Sequence, residues 1–261
     1  MHNEFDEIAN SYDDDFTNSE IGKLQRDIVW KYLDKQNITG KNILEINCGT
    51  GEDAVYLSKK GNHVTATDVS EQMLQAAQHK FIKNNLTVES FIWDLNKPFP
   101  LPAKKYDLIF SNFGGLNCLS PEALKKLSLE FNQLLNADGR LIFVVMGRFC
   151  LWETFYFLFK GKFKSAFRRL SKEPVKAKLN DNTFVDTWYY SAKELNHIFS
   201  EHFKYINKKP VGVFIPPSYM ENYFKNEKTR MKILMQTEKS IGGLKFLAPL
   251  SDHFLIELRQ S

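Results

Sequence analysis

The sequence predicts an α/β protein built on a doubly wound, mostly parallel sheet, and three observations carry that expectation. Apolar runs of strand length alternate with amphipathic, helix-length stretches through residues 42–146. One of those runs, Tyr106–Ser111, has the apolar character of a strand buried on both faces of a parallel sheet. The first run ends at a glycine-bearing turn, Asn47-Cys48-Gly49-Thr50-Gly51, which opens a helical stretch.

Each element follows from local signals. Residues 20–36 predict a helix with Leu24, Ile28 and Leu33 among its apolar positions. Strand 42–46 follows, then a short helix over 53–60 that stops at Gly61. Residues 63–67 form the second strand, and Ser70 caps a helix that carries Met73, Leu74, Ala77 and Phe81 on one face. The third strand is 87–93 and the fourth is 106–111. Ser120-Pro121-Glu122 starts a helix, with a capping hydroxyl and proline at its first turn. It ends near Asn136-Ala137-Asp138-Gly139, before a fifth strand over 140–146. Beyond it, 149–170 is crowded with aromatics, 180–182 is a turn and 191–199 a helix. Residues 203–214 are strand-like, Pro216-Pro217 breaks them, 219–240 is mostly helical, and 253–259 closes the chain as a strand.

Composition bounds the function. A chain of 261 residues buries a proper core and fits one α/β domain with an elaboration. Cys48, Cys118 and Cys150 are widely spaced, so neither a disulfide framework nor a zinc site is expected, and no histidine cluster has metal-ligand spacing. The opening residues lack a basic and apolar leader, so a cytoplasmic location is expected. No run approaches the length of a membrane span. Charge is uneven: residues 1–147 carry 15 Lys+Arg against 20 Asp+Glu, and 148–261 carry 20 against 11. The halves are thus −5 and +9, summing to +4. Such asymmetry fits two differently solvated surfaces, or a C-terminal half that meets something anionic.

The glycine turn carries the chemistry. Glycine lets backbone approach a ligand closely, and Asp68 at the end of the second strand can accept from both hydroxyls of a ribose. A nucleoside-containing cofactor is implied. The nicotinamide pattern G-x-G-x-x-G would need a glycine three residues after Gly51, where Ala54 stands, a residue that pattern sometimes accepts, and Asn47 at the head of the turn is not glycine. Glu45-Ile46-Asn47-Cys48-Gly49-Thr50-Gly51 instead resembles the E/D-x-G-x-G-x-G motif of Rossmann-like, S-adenosylmethionine-dependent methyltransferases. Asn47 departs from that motif mildly, since Asn visits the left-handed region readily.

The resemblance covers roughly residues 5–147 and the closing strand. It implies a seven-stranded sheet whose last strand inserts antiparallel at one edge, beside the stretch after residue 202. It implies S-adenosylmethionine as donor and S-adenosylhomocysteine as product. The turn residues Glu45, Asn47, Cys48, Gly49 and Gly51 would hold the cofactor, with Asp68 and Val69 at the ribose. Met73 matches the apolar residue packed on adenine. Asp94, with Leu95 beside it, matches the carboxylate that accepts from the exocyclic amine. Ser111 and Asn112 end the fourth strand, where backbone carbonyls face the methionine amino group. The opening Phe5-Asp6-Glu7-Ile8-Ala9-Asn10-Ser11-Tyr12-Asp13 resembles the F-D-x-I-A-x-x-Y-D start of quinone and small-molecule methyltransferases, whose tyrosine, here Tyr12, helps close over the cofactor.

Methyl transfer requires in-line positioning and exclusion of water, with a general base where the nucleophile is a hydroxyl or carbon acid. Among residues placed to serve as base, His253 is the first choice and Tyr219 the second, against a purely structural role for both. The stretch after the fourth strand lacks the D/N-P-P-Y/F signature of nucleobase methylation, and no basic–aromatic platform suggests nucleic acid. The aromatic stripe Trp152, Tyr156, Phe159, Phe163 and Phe167 has three readings: core packing, a lid over an apolar acceptor, or a helix on an anionic membrane. The lid is preferred over the membrane helix because Gly161 interrupts the segment, and it places Trp152 and Phe155 at the acceptor pocket.

The expected organisation is a cofactor-binding half with N-terminal helices over 1–147, an aromatic and basic insertion over 148–202, and closing strands with a helical insertion over 203–261. The expected function is methylation of a small, apolar or aromatic molecule, oxygen favoured as acceptor atom. The rival is a degenerate methyltransferase fold acting as a binding or regulatory protein.

Overall fold

The computed structural model describes residues 4–101, 104–180, 183–218, 220 and 228–261. In chain order, the opening segment forms α1 (Ala9–Tyr12) between two irregular helical turns, followed by α2 (Glu20–Lys35). Then come β1 (Asn42–Glu45), α3 (Glu52–Lys59), β2 (His63–Asp68), α4 (Glu71–Lys83), β3 (Glu89–Ile92), β4 (Tyr106–Ser111), α5 (Pro121–Leu134) and β5 (Leu135–Met146). Beyond these lie α6 (Leu151–Phe159), α7 (Phe163–Ala166), β6 (Val175–Lys178), β7 (Phe184–Thr187), α8 (Ala192–Phe199), β8 (Phe203–Val211), α9 (Lys228–Ile241) and β9 (His253–Gln260).

Among the described residues, seven strands form one sheet in the order β3-β2-β1-β4-β5-β9-β8. The first five run parallel, and β9 inserts antiparallel between β5 and β8. This is the sheet the resemblance implied. Register sets which residues stand at its carboxyl end: Asp68 pairs with Ile92, Ser111 with Phe143, and Met146 with His253. Successive side chains of a strand enter opposite faces. Ile109, Phe143 and Val145 accordingly join α5 and α8 in one core, while Leu108, Phe110, Ile142 and Val144 join α2, α3 and α4 in the other.

The capping signals at Ser70 and Ser120 act as expected: Ser70 accepts from the Met73 amide and Ser120 from Ala123. Ser191 also caps α8, accepting from Glu194 in a reciprocal capping box. Gly61 follows the end of α3 at φ +81°. Two details differ from the sequence expectation. The fifth strand begins at Leu135 rather than 140, because Leu135 pairs with Tyr106 across an irregular register that absorbs Asn136-Ala137-Asp138-Gly139. The insertion also contains the antiparallel pair β6–β7, of which only the turn was foreseen.

Buried polar groups fasten the insertion to the sheet. The fully buried Asn117 side chain donates to the Met146 and Trp188 carbonyls and accepts from the Met146 amide. Tyr190 donates to the Leu119 carbonyl, and Arg148 pairs with Glu194 at 2.7 Å. Gly161 separates α6 from α7 at φ +67°, as its position in the aromatic stripe suggested. No helix among the described residues is long and apolar enough to cross a membrane.

Candidate active site at the carboxyl end of the sheet

The turn after β1 adopts the conformation its sequence demands. Asn47, Gly49 and Gly51 all have positive φ, at +48°, +53° and +76°. Asn47 thus takes the left-handed place that glycine fills in the resembled motif. Its side chain accepts from Ser111 Oγ at 2.9 Å and donates to the Asn112 carbonyl at 3.4 Å. One carbonyl expected to face a ligand amine is therefore already engaged. Gly51 is required by packing as well: a Cβ there would stand 2.7 Å from Ala77 Cβ.

Asp68 is no surface turn. It is 7% exposed, and its two carboxylate oxygens accept from the Gly49 and Ser70 amides at 2.8 and 3.0 Å. Burial pushes its carboxyl above the ordinary range despite those bonds. Glu45 is more extreme. Burial, then the neighbouring Asp53 and Asp68, hold its carboxyl well above the usual value, with Arg26 opposing. Its Oε2 is buried without a hydrogen-bond partner among the described residues. A buried acceptor at a glycine turn suits a cationic amine, so the residues present fit an amino-acid-bearing nucleoside.

At the third strand, Asp94 is half buried and accepts from the Asn96 amide at 3.0 Å, with Lys97 at 3.3 Å. Burial alone would raise its carboxyl, but those partners bring it below the usual value. Met73 is buried, Leu95 half buried and Val69 exposed along the same edge. The Cys48 thiol is buried and pushed well up by that burial and by Asp68 and Glu45, which makes it a packing residue and not a nucleophile.

The opening segment lies over this turn. Asp6 accepts from Ser70 Oγ at 2.5 Å and from the Gln72 amide, at the start of α4. Asp13 accepts from Thr50 Oγ1 at 2.6 Å and pairs with Lys80 at 2.8 Å. The two aspartates of the opening motif therefore dock it on either side of the glycine turn. Tyr12 sits between them, with its ring carbon 3.8 Å from where a Gly49 Cβ would stand. Burial, opposed by Arg26, pushes its hydroxyl up to about 12.

Sequence reasoning missed a second layer. Arg26 and Asp53 form a buried pair at 2.5 Å, and Asp53 also accepts from Trp30 Nε1 and Asn112 Nδ2. The Arg26 guanidinium lies over the Phe113 ring at 5.0 Å. Phe113 has φ +49°, an outlier for a bulky residue, and packs edge-on against Phe16 and His253 at 5.0 and 5.6 Å. The only sequence signal was the Gly-Gly that follows it.

His253 is buried at the start of β9, level with Met146. Its Nδ1 lies 3.1 Å from Asp252 Oδ2, an ion-pair distance without hydrogen-bond alignment. Asp252 is also held by Arg169 at 2.8 Å, and Arg169 reaches Glu153 at 2.8 Å. Burial opposes ionisation of Asp252, yet His253 and Arg169 bring its carboxyl far below the usual range. Trp152 is partly buried beside this chain of charges, while Phe155 is half exposed. Tyr219 lies outside the described residues. Shallow depressions at the opposite end of the sheet, beside Lys41, Asp107 and Arg140, contain none of these groups.

Comparison with known proteins agrees with the fold. Residues 43–139 match the family described as Methyltransferase domain. An uncharacterised protein of Methanocaldococcus jannaschii is 27% identical over 84% of this chain and 85% of its own length. A demethylmenaquinone methyltransferase of Clavibacter sepedonicus is 26% identical over 53% of this chain, which spans about half, 54%, of that relative. A solved S-adenosylmethionine-dependent methyltransferase from Clostridium acetobutylicum shares the fold at TM-score 0.60 and 15% identity, with 98% and 99% of the two chains covered. Residues 43–139 therefore match a methyltransferase domain, and the chain shares the Rossmann-like fold of that solved structure.

Proposed function

We propose that this chain is an enzyme that methylates a small, apolar or aromatic acceptor, with oxygen as the favoured atom. The observation that carries the cofactor half is the left-handed glycine turn with Asp68 clamped by two amides beside Glu45, whose buried Oε2 has no hydrogen-bond partner among the described residues. S-adenosylmethionine, when bound, supplies a methyl group on a sulfonium, already joined to a good leaving group. Glu45 would meet its ammonium, Asp68 its ribose and Asp94 its adenine, while Tyr12 and the segment around it exclude water.

The acceptor half is carried by His253. An apolar or aromatic acceptor would lie beside Phe16, Phe113 and Tyr12, whose rings form one cluster. His253 stands edge-on to that cluster, and ionised Asp252 faces its Nδ1. A small rotation of the imidazole aligns Nδ1–H with Asp252 and leaves Nε2 to accept a hydroxyl proton. Asp252 then stabilises the imidazolium that forms. Such a base favours oxygen over an amine, which needs none. In this reading residues 148–202 cap the acceptor site, and 203–261 close the same domain. The free thiols Cys48, Cys118 and Cys150 suit the reducing cytoplasm.

Calorimetry with S-adenosylhomocysteine tests the first half. Binding is expected, and Asp68→Ala should weaken it by about 1.5–3 kcal/mol, the range for charge-assisted hydrogen bonds. Binding of a nicotinamide dinucleotide with none of S-adenosylhomocysteine would end the proposal. His253→Ala should lower turnover of a phenol or hydroxyquinone panel while leaving S-adenosylhomocysteine affinity intact. Cofactor binding with no transfer to any acceptor would favour the binding or regulatory protein, for which the Asn47 amide on the Asn112 carbonyl is the structural argument.

A further inference from the structure

The aromatic insertion does not bury its stripe. Phe159 is 89% exposed, Phe163 67%, Phe155 51% and Phe167 46%. Single exposed apolar residues are ordinary, but four phenylalanines within 13 residues are not. Gly161 makes the arrangement possible. Its positive φ turns the chain, and an added Cβ there would meet nothing within 4 Å. The Thr154 hydroxyl donates to the Ala166 carbonyl, so the start of α6 lies against the end of α7. Phe155 and Phe167 flank that contact, and Phe159 and Phe163 flank the turn. The break expected to weaken an interfacial helix instead folds two short pieces into one tip.

Charge on this tip has one sign. Residues 154–172 contain six Lys and Arg and no Asp or Glu. Arg168 and Arg169 point inward, both paired with Glu153. Lys160, Lys162 and Lys164 are exposed among the phenylalanines. Lys160 lies over the Tyr156 ring at 4.2 Å, its stem along an aromatic face and its ammonium near the surface.

We propose that the α6–α7 tip, with Phe155, Phe159, Phe163, Phe167, Lys160, Lys162 and Lys164, docks on an anionic lipid bilayer. The rings enter the boundary between headgroups and acyl chains, and the lysines meet lipid phosphates. The proposal rests on the reading of an apolar acceptor and deepens it. Through Arg169, the segment that presents the tip is fastened to Asp252, next to His253. A docked tip therefore fixes the acceptor end of the site relative to a surface in which apolar molecules dissolve.

The test is co-sedimentation of the intact protein with phosphatidylglycerol-containing vesicles and with pure phosphatidylcholine vesicles, at low and high salt. Binding to the anionic vesicles is expected, weakened by salt. Phe159→Ser with Phe163→Ser, and separately Lys162→Glu with Lys164→Glu, should each reduce it about tenfold or more. Both variants should keep the parent's unfolding temperature and affinity for S-adenosylhomocysteine. Absence of binding to anionic vesicles, or equal binding by either variant, overturns the assignment. So does a dimer that the phenylalanine variant dissociates, which would make the tip a contact between copies. Cofactor binding is read separately: a protein that binds anionic vesicles but no S-adenosylhomocysteine keeps this surface and sinks the enzyme.

Discussion

The glycine turn and the aromatic insertion both keep charges out of water, and they do so by opposite means. At the turn, Asp68 is held by backbone amides, one two residues ahead and one on the neighbouring strand tip. Parallel register of β1 on β2 delivers that geometry, because Glu45 stands beside Ala66. In the insertion, Glu153 is answered by Arg169, and Arg169 by Asp252, 83 residues further along. Backbone donors come with the fold. Side-chain partners must be brought together from distant segments, and nothing local specifies them.

Removal of Arg169 breaks this contrast most severely. Arg169→Met leaves Glu153 and Asp252 buried, with Arg168 still on the first and His253 and a 3.4 Å contact from Gln25 on the second. Breaking one side of a buried pair costs about 3–5 kcal/mol. Arg26→Met should cost less, because Asp53 keeps bonds from Trp30 and Asn112. Urea unfolding of the two variants checks the order. Equal losses would mean that the long-range chain of charges is no more exposed to failure than the local one.

The same contrast divides two of the positive-φ glycines. Gly51→Ala should cost about 3 kcal/mol, because left-handed strain is joined by overlap with Ala77 and Phe81. Gly161→Ala meets no neighbour and should cost about 1 kcal/mol from the backbone alone. A Gly161 variant as damaged as the Gly51 variant would show that the tip is packed.

What was legible follows the same division. Strands, caps and the cofactor turn could be read because periodicity, Ser70, Ser120 and the spacing of Asp68 after Gly51 are local signals. The early start of β5 was missed, since pairing outranks turn composition once Leu135 meets Tyr106. The pair β6–β7 was missed because its strands, Val175–Lys178 and Phe184–Thr187, are short and carry no continuous apolar run. Arg26, Asp53, Asp252 and Arg169 look like surface charges in one dimension. The Gly-Gly after Phe113 marked a turn but did not point to the left-handed backbone of Phe113 itself. His253 could be proposed from its place at the head of the last strand, but its partner Asp252 emerged only from the fold.

Acid separates the regions in opposite directions. Glu45 and Asp68 have raised folded-state values, so the folded protein binds protons more readily than the unfolded chain there. As pH falls from neutral toward the ordinary carboxylate range, these two groups should stabilise the turn. Glu153 and Asp252 have depressed folded-state values. Their contribution is complete above the ordinary carboxylate range and is lost as pH falls below it. Hydrogen exchange should show amides of residues 151–170 losing protection below about pH 4, where model carboxylates titrate, while residues 45–51 hold theirs to lower pH. Parallel loss in both regions would remove the proposed difference in how they hold charge.

Asn47 should give the smallest effect, and it sharpens the account of the turn. Asn47→Gly removes the cost of a left-handed side-chain residue, on the order of 1 kcal/mol. It also removes the acceptor of the Ser111 hydroxyl and the long bond to the Asn112 carbonyl, about 1 kcal/mol in net worth. The two nearly cancel, so stability should move by less than about 1 kcal/mol. S-adenosylhomocysteine affinity should stay equal or improve, because the Asn112 carbonyl is released to face a ligand amine. Asn47→Val supplies the control: it keeps the strain, adds a β-branch and lacks both bonds, and it should lose affinity and stability together. If Asn47→Gly proves as harmful as Asn47→Val, the asparagine is a latch that the site requires rather than a substitute for glycine. The turn would then hold its shape through side chains, as the insertion does.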